Sequence, residues 1–407
     1  MTDWKDDKDL GAWSFEEQQN KWGYLNNPKW QTTPQTPVDY TGDESDEPQV
    51  WPMNVPKLQN KYDNNDSTRH LTCGHWHKKY APEHKNIYFL IQSGFGNRII
   101  SINGSDFSYS VGGPITAFTP TTDRAIIDPN NQFYYIGAGT DLYRIDLPLG
   151  TIHDSISVAT YTNRNIVTIV VDRYNRTLYA LTSSNGENPC YIFKIDLSTF
   201  SIIDYGTITE PPLLYPIKTA IIDDVNGNYI YAAGIGYFYR IDLSTLAYHS
   251  RISGLLDPAC SVIDIAGGYG YFGGGEYNRV ARLNLASFSY DELAIPTGYG
   301  SEIAIGIDLE NRLLYYVPPP EVVDGLTTTT LYQISIADFS IIKSEVLGIS
   351  GYTDALVIDV EDQKAYAGFT GSSSSIRRFN LSLYAQAETI YCGTVTRLGV
   401  IEDQNTV

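Results

Sequence analysis

The sequence predicts an all-β fold: a seven-bladed β-propeller closed by both termini, with an extended Trp-rich N-terminal arm. Three observations support this prediction. The phrase Ile-Asp-Leu-Ser-Thr occurs at 195–199 and again at 241–245, and variants of it return along the chain. A second apolar phrase that ends in Asp precedes the first in most periods, and the C-terminus supplies a copy that the repeats lack. The period of roughly 46 residues is the size of a four-stranded propeller blade.

Each period contains a polar residue, here called the anchor, directly after an apolar strand. The seven anchors are Asn103, Asp146, Asp196, Asp242, Asn284, Ser335 and Asn380. We predict that the strand before each anchor is the third strand of a blade and that the anchor side chain caps the following turn by bonding to its backbone. The Leu and Phe that follow the anchor are expected to pack between blades.

The second phrase predicts the first and innermost strand of each blade. Six copies of it end at Asp128, Asp172, Asp223, Asp264, Asp308 and Asp359. A short turn and a strand rich in Tyr and Phe follow each copy. Apolar and aromatic residues that alternate between Gly, Asn and Asp are typical of strands joined by hairpins. Each period is therefore predicted to contain four strands, with turns after the first and third.

The two ends of the chain are predicted to share one blade. Six inner phrases accompany seven anchors, and VTRLGVIEDQ near the C-terminus matches DALVIDVEDQ, placing Glu402 where the other periods have Asp. Residues 396–402 are therefore expected to form the innermost strand of a blade whose other strands lie within 86–112. The predicted propeller spans 86–407, and the predicted arm spans 1–85.

These motifs resemble those of β-propellers of the YVTN and NHL type. In that class an inner strand, a turn, an aromatic strand and a strand that ends in Asp-Leu or Asp-Thr recur. The similarity covers roughly 86–402 and rests on motifs such as AIID, YIYAAG and RIDLST. The resemblance implies the propeller fold. It leaves the function open, because members of the class include lactonases, surface-layer proteins and interaction modules.

Residues 1–85 differ in composition from the repeats. They contain all six tryptophans: Trp4, Trp13, Trp22, Trp30, Trp51 and Trp76. Ser14 and Glu17 form a capping-box pattern that predicts a short helix near 14–25. Buried Trp side chains dominate many protein interfaces. We therefore expect the first five tryptophans to bind other protein subunits or copies of this chain; an arm that wraps its own propeller and a disordered arm are the open alternatives.

Charge and hydropathy argue against several functions. The net charge of −19 and the pI near 4.6 disfavour binding to nucleic acid or to an anionic membrane surface. No apolar run follows a basic start, and no stretch of about 18 apolar residues occurs. We expect a soluble chain without a signal peptide or a transmembrane segment. Its compartment stays open, and a virion is one setting that fits.

Two segments contain residues of the types that bind metals, but neither has a complete ligand set. Cys73, His75 and His77 alternate, so on a strand they would share one face. Residues 223–228 (DDVNGN) are rich in oxygen ligands but occupy a predicted hairpin turn. The four cysteines form no CxxC pair, so isolated thiols are expected. The sequence therefore predicts no metal and no other cofactor.

The loops that enter the inner strands are expected to surround one mouth of the central channel. The residue five positions before the end of each inner phrase is Asp123, Val167, Lys218, Ala259, Ile303, Asp354 or Arg397, and Glu302 lies beside this set. Charges of both signs can form ion pairs there. No Ser-His-Asp arrangement is found, and the only histidines within the predicted blades, His153 and His249, fall on outer strands.

Two hypotheses of function belong to different classes. The main hypothesis is a non-enzymatic structural or docking propeller of a larger assembly, such as a virion, attached through the arm. The alternative is an enzyme or small-ligand binder, such as a lactonase-like hydrolase, that acts at the channel mouth. The mixed charges favour the first, because several inward carboxylates and amides around a metal are expected of a lactonase.

Overall fold

The computed structural model describes residues 86–402 apart from short gaps. The gaps are 94–95, 105, 114, 116–124, 128–132, 148–149, 184–188, 209–215, 226–228, 254–256, 275–277, 297–302, 324–325, 348–351, 361, 371–373, 383–384 and 394–396. The arm, its predicted helix and all six tryptophans lie outside the described residues. Within the described ranges every regular element is a β-strand, so none of them contains a helix that could cross a membrane.

The strands are short, and most contain five to eight residues. In chain order they are β1 (Asn86–Ser93), β2 (Gly96–Asn103), β3 (Tyr109–Val111), β4 (Ala125–Ile127), β5 (Phe133–Ala138), β6 (Asp141–Asp146), β7 (Ile152–Ser157), β8 (Ile166–Asp172), β9 (Thr177–Thr182), β10 (Cys190–Asp196), β11 (Ser201–Ile208), β12 (Ile217–Asp223), β13 (Tyr229–Gly234), β14 (Tyr237–Asp242), β15 (Ala247–Ser253), β16 (Pro258–Asp264), β17 (Tyr269–Gly274), β18 (Arg279–Asn284), β19 (Ser289–Ala294), β20 (Ala304–Asp308), β21 (Leu313–Val317), β22 (Glu321–Val323), β23 (Leu326–Thr328), β24 (Thr330–Ser335), β25 (Ser340–Val346), β26 (Tyr352–Asp359), β27 (Lys364–Thr370), β28 (Ser374–Asn380), β29 (Ala385–Gly393) and β30 (Arg397–Glu402).

These strands form seven antiparallel four-stranded blades, as predicted. Blades 1 to 4 are β4–β7, β8–β11, β12–β15 and β16–β19. Blade 5 is β20, β21, β24 and β25, blade 6 is β26–β29, and blade 7 is β30 with β1–β3. The strands β4, β8, β12, β16, β20, β26 and β30 each contact the next, and β30 contacts β4. Because each is the first strand of its blade, these seven strands form a closed ring around the channel.

Both ends of the propeller contribute to blade 7, which confirms the predicted closure. Strand β30 pairs antiparallel with β1 from Tyr88 opposite Ile401 to Gln92 opposite Arg397. It also lies parallel to β4, with Ile401 opposite Ala125. The two ends of the propeller therefore meet inside one blade, so the edges that an open ring would expose are paired.

The register corrects the placement of Glu402 by one residue. In blades 2 to 6 the Asp that ends the inner strand pairs with the first residue of the second strand, as Asp359 does with Lys364. The corresponding first residue of β1 is Asn86, which lies opposite the anchor Asn103. Since Tyr88 pairs with Ile401, the equivalent of Asp359 follows Glu402. The letters EDQ align Glu402 with Glu361 rather than with Asp359, so the position of Glu402 within its strand is given by the pairing and not by that match.

The hydrophobic core is divided among the interfaces between blades. Seven clusters are found in the described part of the chain, and each joins two neighbouring blades. In one of them, Leu197 and Phe200 of blade 2 pack with Tyr135 of blade 1. The predicted packing of the Leu and Phe that follow an anchor is therefore confirmed for this phrase, and burying each such side chain stabilises the ring by about 2 kcal/mol.

Five of the anchors cap their turns as predicted: Asp196, Asp242, Asn284, Ser335 and Asn380. Asp196 Oδ1 accepts bonds from the backbone N–H groups of Ser198 and Thr199, both at 2.8 Å. Asp242, Asn284 and Asn380 accept equivalent bonds in their own blades. Phe200, at the end of the turn, has a φ of 48°, a left-handed conformation that costs an L-residue about 1–2 kcal/mol. Burial of its ring between blades offsets that cost.

Arginines two residues before an anchor connect neighbouring blades. The guanidinium of Arg282 lies 5.1 Å from the ring centre of Tyr269 in its own blade and 4.6 Å from that of Phe339 in the next. Arg144 and Arg240 are placed in the same way between two rings. Phe339 has a positive φ, like Phe200. The turn after the anchor thus places the ring of its aromatic residue against the arginine of the preceding blade.

The hydrogen bonds of the Asp196 turn predict a pH effect on stability. They lower the pKa of Asp196 from its usual 3.8 to about 2, chiefly through the Ser198 hydroxyl and then the Thr199 N–H. A pKa that is lower in the folded state stabilises the fold above the unfolded pKa, and this stabilisation is lost as pH falls towards about 2. Asp196→Asn keeps the acceptor but does not titrate. We expect wild type to lose more stability than this variant between pH 4 and 2, measured as urea midpoints.

Asn284 provides the matched control for that experiment, because it caps the equivalent turn without a charge. Asn284→Asp should add acid sensitivity over the same range of pH. If the two substitutions leave the pH dependence of the urea midpoint unchanged, the anchors do not contribute to it.

Candidate active site at the channel mouth

A β-bulge recurs where the inner strands begin. In blades 2, 3, 4 and 6, the pairing of the first and second strands skips one residue of the inner strand. The skipped residues are Val167, Lys218, Ala259 and Asp354. These are four of the positions that the sequence predicts at the channel mouth. Bulges re-aim side chains and are frequent beside active sites. The repeated bulge therefore gives these four positions a shared geometry.

Blade 7 departs from this pattern. In β30, Arg397 and Leu398 pair consecutively with Gln92 and Ile91, without a skipped residue. By pairing register, Leu398 corresponds to Ile217, so β30 has no equivalent of the bulged Lys218. Arg397 still begins its strand, so its backbone lies at the same end of the channel. The count along the sequence failed because it assumed that every inner strand has the bulge.

Among the side chains that the structure describes at this mouth, Lys218 and Asp257 form an ion pair across two blades. Lys218 Nζ on β12 lies 2.5 Å from Asp257 Oδ1, directly before β16. The Lys218 side chain is 34% exposed, whereas that of Asp257 is only 8% exposed. The ammonium can therefore contact a ligand in the channel while the carboxylate holds it from behind. Asp257 was missed in the sequence, because it lies two residues before the counted position and belongs to the neighbouring blade.

Buried hydroxyl groups lie one to two residues from the bulges. Thr219 Oγ1 and Ser261 Oγ, on β12 and β16, are 2.7 Å apart and join the two blades that carry the ion pair. Thr168 and Thr353 are fully buried, and within the described residues their Oγ1 atoms have no hydrogen-bond partner. The inner strands are thus polar near this mouth, unlike the apolar interfaces farther out. No sequence signal distinguished these hydroxyls from ordinary strand residues.

The opposite ends of the inner strands carry buried carboxylates that have structural partners. Asp308 accepts bonds from the backbone and side chain of Asn311 at 2.9 and 2.8 Å, and a third from Gln363 of the next blade at 3.3 Å. Asp264 likewise pairs with Arg312 of the next blade. These carboxylates cap turns and join blades, so the mouth at the Lys218 end is the better candidate for chemistry.

The other charged residues predicted at the mouth are only partly described. Asp123 and Glu302 lie outside the described residues. Asp354 and Arg397 lie on β26 and β30, but only their backbone pairing is described. Their contribution to the mouth stays a prediction, as does the binding of partners through Trp4, Trp13, Trp22, Trp30 and Trp51.

The metal candidates are described only in part. Cys73, His75 and His77 lie outside the described residues. In DDVNGN, Asp224 pairs with Arg173 of the preceding blade at 3.1 Å, which fits a turn that joins blades. In the part of the chain that is described, no group of three or more His, Cys, Asp or Glu is placed to hold a metal ion.

Two cysteines are described, and both are free thiols. Burial raises the pKa of the Cys190 thiol to about 12, so at neutral pH it is not a thiolate nucleophile. Cys260 is half-buried on β16, next to the bulged Ala259. His153 and His249 lie on the outer strands β7 and β15, as predicted.

The sequence matches no protein-family profile and no curated protein. Solved structures share its fold. A Bacteroides fragilis protein provisionally assigned as a 6-phosphogluconolactonase has a TM-score of 0.58 at 12% identity, over 78% of this chain and 98% of that chain. A Bacteroides uniformis protein with the same provisional description has a TM-score of 0.58 at 11% identity, over 78% and 99%. The periplasmic gluconolactonase of Pseudomonas aeruginosa has a TM-score of 0.56 at 11% identity, again over 78% and 99%.

These comparisons correct the main hypothesis of function. A non-enzymatic docking or virion component was expected, but the three similar propellers from Bacteroides and Pseudomonas are described as lactonases rather than as structural proteins. Those descriptions fit the alternative hypothesis, a lactonase-like hydrolase, better than the main one. At the mouth, the charge of Lys218 is balanced by Asp257 of the next blade. At these identities the likeness shows the fold alone, a seven-bladed propeller, and the finer YVTN or NHL class is not confirmed.

Proposed function

We propose that this propeller hydrolyses small lactones and that the channel mouth around Lys218 and Asp257 is its active site. The observation that carries the proposal is the Lys218–Asp257 ion pair, held by two blades at the bulged end of the inner ring. The lactonase descriptions of propellers with the same fold support the choice of substrate class.

Lactone hydrolysis requires water to add to the carbonyl carbon and the ring C–O bond to break. Negative charge develops first on the carbonyl oxygen and then on the ring oxygen, which takes a proton to give the hydroxy acid. A cation held beside the developing oxyanion lowers the barrier most where water is limited. Lys218 has this role in the proposal, since its ammonium is partly exposed while Asp257 fixes its position.

Asp257 is assigned two roles in the proposal. Its carboxylate orients Lys218, and it accepts a proton from the attacking water, which it can return to the ring oxygen. Both oxygens of a carboxylate can accept hydrogen bonds, so one of them can hold Lys218 while the other faces water. The hydroxyl pair of Thr219 and Ser261, on the same two strands, fixes the separation of the strands that carry the pair.

Substitution at the mouth tests this function. Lys218→Met and Asp257→Asn are each expected to lower kcat/KM for glucono-δ-lactone by on the order of a hundredfold, because each removes a charge that acts on the transition state. The rate is measured as acid release at constant pH, after subtraction of spontaneous hydrolysis. Asp291→Asn makes the same chemical change on the outer strand β19, where Asp291 pairs with Arg282, and should leave the rate unchanged.

Removing one partner of a largely buried pair also destabilises the fold. Melting curves of each variant therefore accompany the assay, and rates are compared at a temperature where all variants are folded. The proposal fails if folded wild type does not accelerate the hydrolysis of glucono-δ-lactone or its 6-phosphate. It also fails if both mouth variants keep the wild-type rate.

A further inference from the structure

Blade 5 has an insertion that the other blades lack in their described parts. In blade 3, β13 and β14 are joined by the two residues 235–236, and in blade 1 the corresponding connection is 139–140. In blade 5 the connection between β21 and β24 runs over 318–329 and contains the hairpin of β22 and β23. Glu321 pairs with Thr328 at the base of this hairpin.

The hairpin leaves the blade at the level of the channel mouth. Val317, the last residue of β21, lies opposite Ala304, the first residue of the inner strand β20. Ile217 and Pro258, which begin β12 and β16, are likewise opposite the ends of their second strands. Because all inner strands run in the same direction, the insertion emerges on the face of the propeller that carries Lys218 and the bulges.

Both legs of the insertion are fixed in the body of the blade. Val317, Pro318 and Pro319 are buried, and the proline rings restrict the backbone where the chain leaves β21. On the returning leg Thr329 is fully buried, and its carbonyl accepts a bond of 2.8 Å from the N–H of Leu347. The stem of the hairpin is therefore held rigidly where it leaves the blade.

We infer that the β22–β23 hairpin is a specificity-determining wall of the mouth, which limits the site to compact substrates. It rises one strand away from the inner ring, so a bulky group attached to a substrate in the channel would meet it. A rigid stem makes the exclusion steric, and loosening or shortening the hairpin should relax it. The inference rests on the proposed function only for the identity of the substrate, because access to the mouth can be measured without any lactone.

The test measures access with thiol probes of two sizes in the full chain. Ala259→Cys, combined with Cys260→Ser, places one thiol at the bulge of blade 4, and the other native cysteines are followed separately by peptide mass mapping. Iodoacetamide should label this thiol at similar rates with and without the hairpin. A maleimide that carries a polyethylene glycol chain should label it on the order of tenfold faster when residues 320–328 are replaced by Gly-Gly.

Two further variants keep the test interpretable. Pro318→Gly with Pro319→Gly retains the hairpin but frees its stem. It should raise the labelling rate of the maleimide by a smaller factor, and it replaces the shortened chain if that chain does not fold. Ser287→Cys, on the turn at the opposite end of blade 4, is the control site, where neither change should alter the ratio of the two labelling rates. Equal ratios at Ala259→Cys with the intact, freed and shortened hairpin overturn the inference.

A lactone assay of the same variants separates this inference from the proposed function. If the hairpin restricts the site, shortening it should raise the rate for an aryl-substituted lactone relative to glucono-δ-lactone. If labelling responds to the hairpin but no lactone is hydrolysed by any variant, the wall is supported and the proposed function fails. If lactones are hydrolysed while labelling ratios and size preference stay constant, the wall is rejected and the function stands.

Discussion

Deletion of residues 394–407, which include β30, is expected to lower the melting temperature of the propeller by about 10 °C or more. The deletion removes the inner strand of blade 7 and its pairing with both β1 and β4. The clusters on either side of blade 7 include Phe89 and Leu90 of β1, which are almost fully buried. Exposing each of these side chains to water lowers the free energy of unfolding by about 2 kcal/mol. A ring that is open at one blade also loses packing at two interfaces.

A shorter deletion provides the control. A chain that ends at Gln404 keeps every described residue of β30 and the residue that follows Glu402, and its melting temperature should stay within about 2 °C of wild type. Melting is followed by circular dichroism at one scan rate for all three proteins. If the longer deletion melts as wild type does, the ring does not depend on closure by the C-terminal strand.

The fold could be predicted from the sequence because each blade repeats the same pattern of strands and turns. The anchor Asp196 and the aromatic residue Phe200 recur in variant form in the other blades, and each copy is independent evidence for the same turn. What could not be predicted is the pairing register. Glu402 was placed one residue out of register, and the bulge at the start of β26 has no counterpart in β30, because both features depend on how each strand pairs with its neighbour.

The candidate site was predicted less completely, because it is built between blades. Counting along one period identifies Lys218, but its partner Asp257 comes from the loop before the next inner strand. The hydroxyl pair of Thr219 and Ser261 also spans two blades. A repeat defines equivalent positions within blades and says little about which residue of one blade faces which residue of the next. Contacts between blades therefore required the structure.

Contacts between blades also predict a large loss of stability when Arg282 is replaced. Its guanidinium stacks on Tyr269 and on Phe339 of the next blade, and its Nη1 donates to the Ile336 carbonyl of that blade at 3.4 Å. The side chain is 18% exposed, so these contacts are mostly shielded from water. Related arginines contact the next blade's turn elsewhere: Arg144 donates to the Leu197 carbonyl and Arg378 to the Gly104 carbonyl.

Arg282→Ala is expected to lower the free energy of unfolding by about 2–3 kcal/mol, because it removes a cation–π contact within the blade, a cation–π contact and a charged hydrogen bond to the next blade, and the exposed ion pair with Asp291. Arg251→Ala is the matched control, since Arg251 stacks on Tyr237 of its own blade at 5.0 Å, and it should cost less than about 1 kcal/mol. Arg282→Lys should fall between them, because blade 2 has Lys194 at this position, 6.0 Å from one ring. Urea unfolding of the four proteins measures these differences. Equal losses for Arg282→Ala and Arg251→Ala would show that stacking across the interface adds nothing to stacking within a blade.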